Sequence, residues 1–258
     1  MFQPRANCAA GLVFLYLVSF LQPVYAQPGQ VPLPRPRPPQ AAVPADPPSK
    51  SAADDARETS LPGAPASGQP VPVFDLLAAK ACESELTKLR AGFRIAEDIT
   101  GPGACGVRRP IELSRLSPGI AAVTKPGVDC QVARAMATWA QHVVAPSAKL
   151  HLGKTLSGVK VSTTYQCRRR NNAVNGKLSE HAFGNGVDIM GFRFDDGSSL
   201  DIALRKGSDK SERAFQAAVR GGACAYFTTV IGPGTNSAHA GHLHLDMVNR
   251  RSGYRLCE

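Results

Sequence analysis

Six cysteines scattered between residues 82 and 257 constrain this chain more than any other feature. They are Cys82, Cys105, Cys130, Cys167, Cys224 and Cys257. An even number spread through a chain bound for an oxidising compartment reads as up to three disulfides, and the spacing does not choose among the pairings. No two are close enough to form a CxxC-type pair, so zinc ligation by thiolates is the weaker reading. Cys257 stands one residue from the end of the sequence and is expected to pin the C-terminal segment to the body.

The seventh cysteine, Cys8, belongs to a different kind of text. Residues 1–26 carry Arg5, an apolar run from Ala9 to Leu21, and then Val24-Tyr25-Ala26. A short basic start, a brief apolar core and small residues at −3 and −1 make a secretory signal peptide, with cleavage expected after Ala26. An uncleaved anchor is the alternative, but the run is shorter than the roughly 20 apolar residues that a spanning helix needs. Cys8 precedes the apolar run, which argues against a lipoprotein anchor. No later stretch is long and apolar enough to span a membrane, so a periplasmic or secreted bacterial protein without an integral span is expected.

Residues 27–73 are read as a Pro-rich disordered linker: PLPRPRPP and the Ala/Pro/Ser/Gly text after it have no apolar periodicity. Four basic residues there (Arg35, Arg37, Lys50, Arg57) cancel four acidic ones (Asp46, Asp54, Asp55, Glu58). With Arg5 set aside, the net charge of +10 leaves +9 on residues 74–258. A basic exported domain suits an anionic partner such as a cell-wall polymer, and export argues against nucleic acid.

From Phe74 the text becomes globular. Ala78–Leu89 reads as a helix and Phe93–Ile95 as a short strand. Asp129 begins the clearest helix, in which Val132, Met136, Trp139 and Val143 recur at spacings of four, three and four, and Pro146 is expected to end or bend it. Val159–Tyr165 and Gly186–Phe194 read as strands. The turn Asp195-Asp196-Gly197 and the answering Ser199–Leu204 suggest a hairpin. Ser211 is a candidate cap for a helix containing Phe215 and Val219, and His242–Val248 reads as a last strand. Helices and strands in mixed order predict an α+β domain over residues 74–258, a small mainly antiparallel sheet with flanking helices, stabilised by disulfides.

Four of the six histidines fall in two short segments. One runs SEHAFGNGVD from Ser179 to Asp188; the other runs HAGHLHLD from His239 to Asp246. A catalytic zinc takes three protein ligands and keeps one position for water. His181, Asp188 and one histidine of the second segment would supply that set, with Gly184 and Gly186 letting the chain turn between them. Strand alternation puts His242, His244 and Asp246 on one face and Leu243, Leu245 and Met247 on the other. Asp246 is either a supporting partner behind the metal ligands or merely a strand residue, the second being favoured, and Ser179 and Glu180 are read as groups that orient the loop. Arg168, Arg169 and Arg170 form a compact cationic group. It is either a solvated basic turn or a place where Arg168 or Arg170 grips a carboxylate of a peptide substrate. His142 and His151 lie outside both segments and take no role.

The pattern S-x-H-x-x-G-x-[AG]-x-D followed by H-x-H resembles that of the zinc peptidases which include D-alanyl-D-alanine dipeptidases and carboxypeptidases, the penicillin-insensitive murein endopeptidase and the hedgehog signalling domain. It is matched residue by residue from Ser179 to Asp188. That resemblance implies their fold, with zinc held by His181, Asp188 and His244 and with His242 beside the metal as a catalytic or transition-state-stabilising group. His239 resembles a histidine of the murein endopeptidase, where other members use a glutamate, and is the candidate base. The region from Cys82 to Cys257 more closely resembles the extensin-like C-terminal domain family of bacteria, through YQCRRRN, LSEHAFGNGVDIMGF and AHAGHLHLDM. Gly241 departs from it, standing where an acidic residue is expected. The implied function is an exported zinc metallopeptidase, an endopeptidase or carboxypeptidase, hydrolysing amide bonds of peptidoglycan peptides. A catalytically inactive zinc-containing cell-wall-binding module is the alternative, and a structural Pro-rich wall protein ranks last.

Overall fold

Asp75 opens the first helix. Its carboxylate accepts hydrogen bonds from the backbone N–H groups of Leu77 and Ala78, which lack intrahelical partners, and α1 follows over Leu76–Lys88. The computed structural model describes residues 73–204 and 209–258. The expected leader (1–26) and Pro-rich linker (27–73), Val73 excepted, lie outside the described residues. So do Arg205 to Ser208.

The strands in chain order are β1 (Gly92–Ile95), β2 (Ile99–Thr100), β3 (Gly106–Val107), β4 (Ile111–Ser117), β5 (Ile120–Ala121), β6 (Leu156–Val161), β7 (Gly186–Phe194), β8 (Ser199–Asp201), β9 (Thr229–Ile231), β10 (Leu243–Asp246) and β11 (Leu256–Cys257). The main sheet runs β1-β4-β5-β6-β7-β10-β9-β11, with β8 also paired to β7, and β2 and β3 form a separate ribbon. Among the described residues, only β5–β6 and β9–β11 pair in parallel. The α+β reading with a mainly antiparallel sheet therefore holds.

The helix expected from Asp129 is present, and its carboxylate caps α2 (Cys130–Trp139) by accepting from Gln131 N–H at 2.8 Å. Pro146 does not end it. The helical path widens into a π turn over Ala140–Val144 and continues as α3 (Ala145–Leu152), with Pro146 in the first turn. Pro146 brings no N–H to that path, and beside it Ala145 N–H still reaches back to Ala140 O through the wider turn. Asp209, not Ser211, caps α4 (Lys210–Ala223): its carboxylate accepts from Glu212 N–H at 2.9 Å. The text D-K-S-E places an acceptor at the cap and Glu three residues on, and the earlier acceptor wins.

α2 and α4 cover one face of the sheet. Trp139 donates its indole N–H to Val219 O at 3.1 Å and packs against Phe192 and Phe227, while Phe192 meets Phe215 edge-on. Val187, Ile189, Leu243 and Leu245 point into this core and are almost wholly buried, each contributing about 2 kcal/mol by leaving water. Strand alternation then turns Asp188 and His244, which sit between those residues, to the opposite face. The core that anchors β7 and β10 thereby aims the polar residues of both strands to one side.

Three disulfides close the frame: Cys82–Cys130, Cys105–Cys167 and Cys224–Cys257. The first joins α1 to the start of α2. The second joins the β2–β3 ribbon to the segment just before Arg168. The third ties the end of α4 to β11, the pinning expected of Cys257. Closing loops with sequence separations of 48, 62 and 33 residues removes about 4 kcal/mol of unfolded-state entropy each in the chain-entropy account.

Candidate metal centre

His181 sits in a single 3₁₀ turn, Glu180–Phe183. Gly184 follows at φ 62°, the left-handed conformation that turns the chain into β7. A Cβ on Gly184 would also stand 2.7 Å from Val107, so the turn needs glycine twice over. The buried Glu180 carboxylate accepts from Arg170 Nη2 at 3.0 Å and from Asn185 Nδ2 at 2.8 Å. These bonds fasten the turn at both ends.

Three elements then converge. The antiparallel register of β7 and β10 sets His244 directly across from Asp188. His244 Nδ1 lies 3.0 Å from Asp188 Oδ1, and His181 Nε2 lies 3.2 Å from that oxygen and 3.1 Å from His244 Nδ1. The other ring nitrogens are engaged. His181 Nδ1 donates to Thr164 O at 2.7 Å, and His244 Nε2 to Asp246 Oδ2 at 3.2 Å. The Thr164 carbonyl assigns the His181 tautomer, leaving the lone pair of the neutral ring on Nε2, whereas both nitrogens of His244 face carboxylate oxygens.

Three acceptors so close together call for a positive charge among them. Burial opposes charge on either group, yet the bonds with Asp188 and Asp246 push His244 up to about 9. Burial likewise opposes ionisation of Asp188, and the bonds from His181 and His244 hold its carboxyl far below the usual carboxylate range. The metal-free site thus draws in a proton. A divalent cation suits the same place: two imidazole nitrogens and one carboxylate oxygen, with all ligating atoms within 4.8 Å, is a donor set that zinc accepts. These are the residues expected from the sequence.

His242 and His239 stand beside this centre. His242 Nε2 is 3.7 Å from Asp188 Oδ1, too far for a hydrogen bond, and its ring centroid is 5.1 Å from that of His239. His239 Nδ1 donates to Asn236 Oδ1 at 2.7 Å, so the lone pair of its neutral ring is on Nε2. Burial, then the neighbouring His244 and His242 charges, push His239 down to about 4. Burial also lowers His242, against the pull of Asp188. Both rings are neutral near pH 7.

The two arginines proposed to bind substrate have separate surroundings. Arg170 is committed to Glu180. Arg168 donates Nε to Gln166 Oε1 at 2.8 Å and Nη1 to Arg169 O at 3.3 Å, and its charge is felt by both His239 and His242. Gly241 has nothing within 4 Å of where a Cβ would stand. A Cβ there would meet open space. One reading is corrected: Asp246 is not merely a strand residue but the buried partner of His244. The signal was in the text, since residues two apart on a strand share a face. Asn236 and the Thr164 carbonyl also went unread. The first is visible as an N-x-x-H cap, while the second, a backbone acceptor, leaves no trace in residue types.

Fold and site together define an α+β disulfide-linked domain with a buried His–Asp–His centre on the open face of its sheet. The chain belongs to the family described as the extensin-like protein C-terminus, which matches residues 80–258. No curated protein and no solved structure matches the chain.

Proposed function

We propose that this domain is a zinc-dependent peptidase acting on the peptide amides of peptidoglycan, exported by its leader to the periplasm or beyond. The observation that carries the reading is the convergence of three ligating groups. His181 Nε2, His244 Nδ1 and Asp188 Oδ1 meet within 4.8 Å of one another, and the His239 and His242 rings stand beside them. The resemblance to D-alanyl-D-alanine peptidases and murein endopeptidase in fold and ligand pattern is part of the same proposal. So is the match of a basic domain to an anionic wall polymer.

Zinc at His181, Asp188 and His244 would supply Lewis acidity, lowering the pKa of water towards about 7 and polarising the scissile carbonyl. The remaining work falls to the chain. His239 takes the proton of the attacking water at Nε2 while Asn236 holds its Nδ1–H, then returns that proton to the leaving amine. His242 donates an N–H to the oxyanion that forms. Arg168, the arginine free of Glu180, receives a substrate carboxylate, and Arg170 keeps the His181 turn in place.

The test is metal analysis of the purified domain and of His181→Ala, each then incubated with purified peptidoglycan. The wild type should carry about one zinc and release peptide fragments; the variant should do neither. A wild type without zinc would overturn the reading. Zinc without fragments would leave the wall-binding module instead. His239→Ala should keep its zinc and lose about 10²–10⁴-fold in rate.

A further inference from the structure

Beside the candidate centre, β7 departs from a regular ladder. Lys160 of β6 pairs with Gly191 and Val161 with Ile189, so Met190 is the extra residue of a β-bulge. The bulge decides where side chains point. Ile189 and Phe192 are both fully buried in the core, yet strict alternation cannot put residues three apart on one face. The extra residue absorbs the difference, and Met190 and Gly191 both turn away from the core. Met190 is accordingly 38 % exposed. It follows Asp188 on the open face of the sheet, about 7 Å further along the strand.

Gly191 shows what borders it on the far side. A Cβ there would stand 3.0 Å from Asp201 Oδ1 and 2.5 Å from Leu200 O. Asp201, paired with Gly191 across the β7–β8 ladder, lays its carboxylate over the glycine and accepts from Lys160 Nζ. On the near side, Leu243 and Ile189 are the last pair of the β7–β10 ladder, and His242 and Met190 are the next residue on each strand. From the centre outward, the open face thus presents Asp188, then an exposed thioether, then an ion pair. Methionine is unbranched and deformable, which suits a side chain that adapts to what rests on it.

We propose that Met190 determines specificity at this site. Its thioether is the apolar contact for the substrate side chain that flanks the scissile amide, and the Lys160–Asp201 pair bounds that contact, limiting it to a short aliphatic side chain such as that of alanine. The inference deepens the peptidase reading and rests on it. An extended peptide advances about 3.4 Å per residue, so a side chain flanking an amide held at the centre falls within reach of Met190. A bulky side chain runs into the ion pair, and a charged one has to displace it.

Fragment masses from purified peptidoglycan identify the bond that the wild type cuts. Two synthetic peptides then differ only at the residue flanking that bond, alanine in one and leucine in the other. The wild type should prefer alanine. Met190→Ala should raise the leucine-to-alanine ratio of kcat/KM about tenfold or more, and Lys160→Ser should move it the same way. Met190→Leu, close in volume, should keep the wild-type ratio. An unchanged ratio in folded, zinc-loaded Met190→Ala would overturn the proposal. A second readout needs no turnover. With the methionine methyls ¹³C-labelled, the Met190 signal is the one missing from Met190→Leu, and it should shift when soluble peptidoglycan fragments are added to the wild type. If the wild type cuts nothing, the peptidase reading fails by itself and this signal decides. A shift then keeps Met190 as a contact of a wall-binding module, and a signal that stays in place overturns the subsite as well.

Discussion

At the scale of single residues, the proposed metal centre is a competition between a proton and a cation. His244 keeps its extra proton up to about pH 9 in the metal-free protein, because the Asp188 and Asp246 carboxylates outweigh the cost of burying that charge. A cation must displace this proton. The sign follows: below about 9 each unit fall in pH should weaken zinc binding about tenfold, and above it the dependence should flatten. Chelator competition at pH 6, 7 and 8 checks this, and a flat series would contradict it. His239 behaves in the opposite sense. Its own proton leaves at about 4, so the proposed base is available throughout that range and does not set the slope.

At the scale of elements, what was legible in the sequence was whatever has a period or a motif. The α2 stripe of Val132, Met136 and Trp139 and the strand Gly186–Phe194 are both where their patterns put them. β4 went unread because Ile111 and Leu113 alternate over too few residues between Pro110 and Pro118, and β9 and β11 are too short to show alternation at all. The candidate ligand set was legible for a local reason: His181 and Asp188 flank one turn, and His244 lies in a short strand of strict alternation. Its support was not, because the Thr164 carbonyl reaches His181 through a pairing that no spacing announces. Gly184 tests the turn directly. Gly184→Ala meets both a left-handed φ and Val107, so it should cost about 1–3 kcal/mol and displace His181. Thermal unfolding and zinc content should fall together; loss of stability with full zinc would mean that the turn bends without moving the ligand.

For the whole molecule, cross-links and core divide the stability between them. The three loops together amount to about 12 kcal/mol of unfolded-state entropy at most, within the roughly 5–15 kcal/mol by which domains are stable. The domain should therefore fold when produced in an oxidising compartment and fail in a reducing one, as judged by a cooperative thermal transition. A sharp transition in the fully reduced protein would show that the core suffices alone. Replacing only Cys105 and Cys167 with Ser should be milder for the fold. It frees the segment leading to Arg168, so on the proposed function KM should rise more than kcat falls, with zinc retained.

Cys105–Cys167 thus has a meaning in time as well as in space. A newly made chain already contains every histidine of its centre, but until those two sulfurs join, no cross-link ties the segment before Arg168 to the β2–β3 ribbon. On the proposed function, oxidation is then a maturation step, and the reduced chain is a precursor that has not yet acquired its grip on substrate.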